Sequence, residues 1–487
     1  GRLTYVPTLL DENLIPEVVA GKFKLVLITG NAGDGKTAFL QQLEMEVGTQ
    51  AQLQSSEPLP NGRRFSTTDR TFLTNYDGSQ DEEERNNADV LYEFFSPFSG
   101  ADSRTWPTDE TRLIAINEGR LIDFLNTARE AFPALLSVVE EGLHTGEDMH
   151  GIAVVNLNLR SVVASPLSDD NSILERQLRV LVKPKYWQAC QNCDLKDKCY
   201  VYHNAQTFQD RTAAPQVIER LKTLYTLTHL RGRLHITIRD LRSALSFMLS
   251  SARDCGEIHA LYSEGKRELI AAGFYFNSWM GADTGTADRL LQLLKGLDVG
   301  SAADPRLDRG LDFISPAQDQ SRFGFSDRGS YDHEVLRALY ETLPRDFTGK
   351  PSSTRALAHR HFLSMTRRRI FFERRDNNWQ SMLPYRSAEQ LLAMIRNEVS
   401  TELSLENVLH AINRGEGLLD PTRLGDSLAL QVRQVERGTV RSYRIYNSKH
   451  FRLALKDSSS QARFVEHIPE GLVLQFKDGS HEAELLI

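Results

Sequence analysis

The 487-residue chain is poor in cysteine: it holds 4, and three of them crowd between Cys190 and Cys199. So few thiols exclude a disulfide-built scaffold, and their crowding suits a metal knuckle in a reducing cytosol better than a secreted framework. No apolar run approaches the roughly 20 residues of a bilayer-spanning helix, so no membrane partner is expected. The opening Gly1-Arg2-Leu3-Thr4-Tyr5 has none of the parts of a signal peptide, and a cytoplasmic location follows as the expectation. There is no initiator Met, and Glu484-Leu485-Leu486-Ile487 reads as a strand cut short, so the chain is expected to be a piece of something larger. Charge of one sign is also lacking: 58 Lys+Arg stand against 65 Asp+Glu, a net charge of −7, which gives no global pull toward nucleic acid. No repeat or low-complexity tract is evident. What remains is an ordinary globular composition, 40% hydrophobic and 25% charged, long enough for about three domains at roughly 150 residues each.

Lys24-Leu25-Val26-Leu27-Ile28-Thr29 has the apolar, β-branched pattern of a strand buried on both faces. It runs into Gly30-Asn31-Ala32-Gly33-Asp34-Gly35-Lys36-Thr37, which matches G-x-x-x-x-G-K-[ST] at every fixed position. Phe39, Leu40, Leu43 and Val47 then share one face of a helix. Strand, glycine loop and helix in that order predict a phosphate cradle. The glycines let successive N–H groups turn inward, and the helix adds the positive end of its dipole. Lys36 is expected to neutralise the β- and γ-phosphates, and the Thr37 hydroxyl to ligate Mg²⁺.

Hydrolysis needs an acid for the metal and a group that polarises water. Two further buried strands are legible, Leu113–Ile116 ending in Asn117-Glu118-Gly119 and Ile152–Val155 ending in Asn156-Leu157-Asn158-Leu159-Arg160. In P-loop ATPases with an extra strand, the metal acid ends one strand and a polar water-sensing residue ends the next. On that pattern Asn117 takes the acid's place, acting through a water ligand because it is neutral, and Glu118 is the catalytic base. A plain helix-terminal acid is the alternative reading of Glu118. Asp77, after the weaker strand signal Phe72-Leu73-Thr74-Asn75-Tyr76, is the rival metal acid. Asn156 is chosen as the water sensor, with Asn158 on the same strand face. Arg160 is expected either to reach a neighbouring subunit as a trans-acting finger or to be a surface charge.

Cys190-x-x-Cys193-x₅-Cys199 has spacing suited to tetrahedral zinc. Cys255 is the expected fourth ligand and His203, one helical turn beyond Cys199, the alternative. A closed site of this kind would serve folding, and an iron–sulfur cluster is the less favoured occupant.

The order of these pieces, from the Gly30–Thr37 loop through Ile116-Asn117-Glu118-Gly119-Arg120-Leu121 and Asn156-Leu157-Asn158-Leu159-Arg160-Ser161 to Trp187…Cys190…Cys193…Cys199…Asn204, resembles the ATPase component of bacterial DNA phosphorothioation-dependent restriction, the DptF type, and related P-loop proteins of anti-phage defence. The resemblance covers roughly residues 1–260. It implies a cytoplasmic AAA+/STAND-like ATPase working with other subunits of a defence or restriction complex on invading DNA, with a homo-oligomer compatible. It also implies a helical lid after the core that sends an arginine to the γ-phosphate, and Arg239 and Arg242 fall in the corresponding place, a solvated helix face being the favoured alternative for either one.

The expected fold class is thus α/β, a three-layer P-loop NTPase core with a parallel sheet over residues 1–182. A cysteine knuckle follows at 183–210, a helical lid at 211–300, a helical and loop region at 301–415 and a small antiparallel β domain at 416–487. Between Arg355 and Arg375 lie seven arginines and one acid, Glu373, with Phe362, Phe371, Phe372 and nearby Trp379 among them. That mixture fits either a clamp on DNA or a helix of arginines packed on acidic neighbours. The expected activity is Mg²⁺-dependent binding and hydrolysis of a nucleoside triphosphate, taken as ATP although no base-recognition motif separates it from GTP. A nucleotide switch with little turnover and a nucleotide-tuned nucleic-acid clamp are the alternatives.

Overall fold

The apolar run before the glycine loop forms β1 (Leu25–Thr29), buried at all five positions. Burial at successive positions demands cover on both faces, because side chains alternate across a strand. Val26 and Ile28 share one core cluster with Ile15 and Val18 of α1 (Ile15–Val19) and Phe39, Leu40, Leu43 and Val47 of α2 (Lys36–Gln50). Leu25 and Leu27 join the opposite cluster. There they meet Leu91 and Phe95 of α3 (Asn87–Phe95), Leu121 and Leu125 of α4 (Glu118–Thr127) and Leu135 and Val139 of α5 (Pro133–Thr145). Helices on both faces of one sheet give the three-layer α/β arrangement. The computed structural model describes residues 4–50, 53–81, 86–164, 172–232, 235–278, 289–301, 308, 354–373, 377–385, 387–416, 424–434, 441–456, 460–469 and 471–487.

The sheet runs β2-β3-β4-β5-β1-β6, where β2 is Ser55–Leu59, β3 Gly62–Ser66, β4 Thr71–Asn75, β5 Glu110–Ile116 and β6 Ile152–Asn156. The four strands β4, β5, β1 and β6 are parallel, and β2 and β3 extend the sheet as an antiparallel hairpin. Thr29 sits opposite both Ile116 and Asn156, and Asn75 opposite Ile114. The residues after β1, β4 and β5 therefore leave the sheet along one edge, the carboxyl edge where ligands bind in open α/β sheets. β5 lies between β1 and β4, an arrangement that linear order does not reveal.

Helices follow: α6 (Ile173–Leu181), α7 (Tyr200–Gln209), α8 (Ala213–Gly232), α9 (Ile238–Ser250), α10 (Cys255–Ser263), α11 (Arg267–Gly273), α12 (Arg289–Lys295) and α13 (Thr354–Glu373). The expected mostly helical character of 211–300 is seen in its described residues, broken by short turns at 251–254, 264–266 and 274–277. The loop-rich stretch expected at 300–350 lies outside the described residues apart from Gly300, Ser301 and Asp308.

The chain divides into two units, Gly1–Pro384 with Ser459–His467, and Tyr385–Ser458 with Ile468–Ile487. The second unit opens with α14 (Ala388–Ile395) and α15 (Leu405–Gly415), ahead of the expected boundary at 416. Its strands are β7 (Leu428–Gln434) and β8 (Arg441–Tyr446), paired together, and β9 (Phe451–Leu455), β10 (Leu472–Asp478) and β11 (His481–Leu486) in a second antiparallel sheet. Leu409 of α15 packs with Leu428 and Leu474, which is why helix and sheets belong together. Gly479, with φ +59°, turns β10 into β11. Within the β domain expected at 416–487, the last strands begin only at Leu472. Ala462, Phe464 and Val465 instead enter the core of the first unit, where Phe464 meets Phe23 edge-on at 6.3 Å.

Candidate functional site

The loop after β1 has φ of +147° at Gly30, +103° at Gly33 and +84° at Gly35. A side chain at Gly33 is excluded twice over: its φ is left-handed, and a Cβ would lie 3.0 Å from both Thr237 Oγ1 and Arg239 Cβ. Asp34, 1% exposed, braces the loop from inside. Its Oδ2 accepts the Asn31 N–H at 2.6 Å, and its Oδ1 lies 2.6 Å from His235 Nε2. A carboxylate only accepts, so that imidazole nitrogen carries the proton. Lys36 Nζ donates to the carbonyls of Gly30 (2.7 Å) and Asn31 (2.9 Å). Burial lowers the Lys36 pKa, while the charges of Asp34 and Asp77 act in the opposite sense. Thr37 Oγ1 donates to the Tyr76 carbonyl at 3.0 Å, joining the start of α2 to the end of β4.

These residues line a cavity of about 540 Å³, with all eight positions from Gly30 to Thr37 in its wall, a size suited to a small-molecule ligand. Ala32 belongs to that wall through the loop backbone. Asp77, Ser79 and Asn117 complete the strand edge, and Arg160, Gln177, Ile238, Arg239 and Arg242 add groups from later in the chain. Asp77 is steadied by Ser79 N–H at 3.0 Å and Gln80 Nε2 at 2.8 Å. Asn117 caps α4, its Oδ1 accepting from Gly119 N–H (3.0 Å) and Arg120 N–H (3.4 Å), which leaves its NH₂ as the donor it can offer.

Glu118 and Asn156 do not line this cavity. The Glu118 carboxylate accepts from Asn156 Nδ2 at 3.2 Å and Asn158 Nδ2 at 3.4 Å, so the expected base and the expected water sensor bond to each other. Arg160 is 2% exposed, a buried position and not a surface charge. It stays within its own chain, with Nη1 donating to the Asp34 carbonyl at 3.0 Å and Nε 3.5 Å from Glu466 Oε2. Arg239 is exposed at the start of α9, and its backbone N–H donates to the Gly33 carbonyl at 3.1 Å. Thr237 and Asp240 form the capping box that ends α9 against the loop. Arg242 Nη1 donates to Thr4 Oγ1 at 3.1 Å.

The knuckle is a second cluster. Cys190, Cys193 and Cys199 are half-buried free thiols, and Cys255 is an exposed one at the first position of α10. Burial raises the thiol pKa of Cys190, and the charges of Cys199, Cys255 and Cys193 add to it; among the described residues the ligand atoms of Cys193, Asp194 and His259 are the ones that lie within 4.8 Å of one another. His259 joins them: its Nε2 lies 3.4 Å from Cys193 Sγ and 3.7 Å from Asp194 Oδ1. Sequence reasoning missed His259, although Cys255 and His259 are four apart and share a helix face. His203, the alternative ligand, packs its ring edge-on against Phe274 at 5.3 Å.

The arginine-rich segment follows the second of its two readings, arginines packed on acidic neighbours. Arg367, Arg368 and Arg369 are 6%, 5% and 8% exposed. Arg367 makes a two-pronged pair with Asp308, Arg368 another with Asp298, and Arg369 meets Glu373, which also accepts from Tyr275. Phe362, Phe371, Phe372 and Trp379 are buried too. Guanidiniums neutralised inside a core have no phosphate to meet, so these three residues are no DNA clamp; Arg374 and Arg375 lie outside the described residues. Among the described residues no helix is long and apolar enough to cross a membrane. Comparison with protein-family models, curated proteins and solved structures found no match for the chain.

Proposed function

We propose that the first unit binds a nucleoside triphosphate, ATP by preference, with Mg²⁺ at the Gly30–Thr37 loop, and that slow hydrolysis drives movement of the helices packed on that loop. One observation carries the reading: the glycine loop, Lys36, Thr37, Asp77 and Asn117, from three strand ends, converge on one cavity. Lys36 would exchange two backbone carbonyls for β- and γ-phosphate oxygens. Thr37 and Asp77 would hold the metal, and the Asn117 NH₂ would orient water. The roles thus shift by one strand from the linear reading, with Asp77 as the acid and Asn117 as the sensor. Glu118 would stiffen the neighbouring strand end through Asn156 and Asn158.

Gly78 follows Asp77, so no second carboxylate stands at that strand end. That feature favours a second reading, a nucleotide-operated switch with little turnover. The resemblance extends the proposal to partners: the switch would act among other subunits of an anti-phage complex, to be tested by co-purification. Calorimetry with ATP and Mg²⁺, followed by phosphate-release assays, tests the core claim. Asp77→Asn should lower turnover by about 100-fold, and Glu118→Gln by far less. The opposite order would return the chemistry to Glu118.

We also propose a structural zinc ion at the knuckle. Cys190, Cys193 and Cys199 would supply three ligands, and α10 the fourth through Cys255 or His259. Such a closed site leaves no position for substrate and serves folding.

A further inference from the structure

Gln177 lies on α6 and borders the nucleotide cavity. It is 0% exposed, and among the described residues neither its Nε2 nor its Oε1 has a hydrogen-bond partner. A buried amide with both ends unbonded is costly, so native proteins rarely keep one without a use. Its neighbours show what kind of use. Arg176, the preceding residue, donates to the Pro7 carbonyl at 2.7 Å, which fixes α6 against the amino-terminal segment. That segment brings Tyr5, Val6 and Leu10 to the cavity wall, and Ile238 adds an apolar side chain from α9. Tyr5 is held by its hydroxyl, which donates to Asp11 Oδ1 at 2.6 Å. An aromatic ring, three aliphatic side chains and one unbonded amide suit a flat heterocycle with a donor and an acceptor side by side.

Resting on the triphosphate reading above, we propose that Gln177 reads the base of the nucleotide and selects adenine. An amide offers one donor and one acceptor in a plane. Adenine matches it with the N6 amino group as donor and N7 as acceptor, the two-point contact glutamine makes with this base. Guanine presents two acceptors, O6 and N7, on the same edge, and one of them would face the amide oxygen. Both amide atoms are closed off from solvent in this fold, so the side chain must turn toward the cavity for the base to complete the bonds left open at Gln177, while the glycine loop holds the phosphates.

The test is competition calorimetry on the full chain with Mg²⁺, using ATP, GTP, 7-deaza-ATP, purine riboside triphosphate and tripolyphosphate. ATP should bind about 5- to 150-fold more tightly than GTP, the range of one two-point contact. 7-Deaza-ATP, without N7, and purine riboside triphosphate, without the N6 amino group, should each lose much of that margin. Gln177→Leu should bring ATP down to the affinity of GTP. Its melting temperature should be equal or higher, because the variant removes two unbonded buried atoms; an amide with a structural bond would lower it. Equal binding of ATP and GTP, or of ATP and both analogues, overturns the adenine assignment while leaving the phosphate loop intact. Loss of tripolyphosphate binding as well would remove the loop reading with it.

Discussion

The glycine-loop cavity and helix α13 are both dense in buried charge, and they put it to opposite uses. On α13 the guanidiniums of Arg367, Arg368 and Arg369 each end on a carboxylate, two of them with both prongs. Around the loop, Lys36 rests on backbone carbonyls, and Arg160, whose Nε lies 3.5 Å from Glu466 Oε2, makes one hydrogen bond through Nη1 and none through Nη2 among the described residues. Gln177 is bonded at neither end. Charge whose partners are built into the fold holds the fold. Polar atoms left open beside a cavity are available to a ligand. Residue counts alone favour α13 as the phosphate binder, and the partner list reverses that.

Removing an arginine from α13 should give the largest effect. Arg368→Ala leaves the half-buried Asp298 without its guanidinium and should cost about 3 kcal/mol, read by chemical denaturation. DNA affinity and its salt dependence should not change. A variant of native stability would erase the distinction between the two regions. Lys36→Ala should show the mirror image. Nucleotide affinity should fall about 10- to 150-fold, the 1.5–3 kcal/mol of a charge-assisted bond, with stability little altered. If denaturation midpoints moved as far as for Arg368→Ala, Lys36 would belong with the structural charges.

The strand-loop-helix start was legible because it is local. A continuous apolar run, a glycine spacing and a helical stripe each predict their own neighbourhood, and β1 and α2 follow within a residue or two. The strands at Leu113–Ile116 and Ile152–Val155 were legible for the same reason. Their lateral order was not. Only the sheet shows β5 between β1 and β4, which brings Asp77 to the cavity and leaves Glu118 beside Asn156. Pairing at a distance was equally hidden. The partners of Arg367 and Arg368 lie 59 and 70 residues away, and Glu466, more than 300 residues after Arg160, closes on it in the core. The hairpin β2-β3 escaped because Ser55–Leu59 is polar and exposed, with no periodicity to betray it.

The knuckle extends the comparison to thiols, where Cys193 Sγ already has His259 Nε2 at 3.4 Å. Purified protein should contain one zinc per chain, and free zinc at ten to a hundred times its Kd should stabilise the fold by about 1.4–2.7 kcal/mol. Chelation should remove that increment and leave ATP affinity in place, since the ligands share no residue with the cavity. His259→Ala against Cys255→Ser separates the two candidates for the fourth position: the true ligand is the one whose loss lowers zinc content. Metal-free protein of unchanged stability would reduce the cluster to ordinary buried thiols.

The smallest effect should come from Thr237, where the two kinds of polar group meet. Its hydroxyl caps α9 through the Asp240 N–H, and it also crowds the space a side chain at Gly33 would need. Thr237→Ala should cost about 1 kcal/mol of stability as a lost cap, and Thr237→Ser should restore it. The affinity readout is the sharper one. If α9 only covers the loop, nucleotide affinity should follow the cap and recover in Thr237→Ser. If α9 moves when the base binds, Thr237→Ala weakens the closed state and ATP affinity falls, while tripolyphosphate, which has no base to reach past the loop, binds as before. Equal losses for ATP and tripolyphosphate would confine the role of Thr237 to holding the loop.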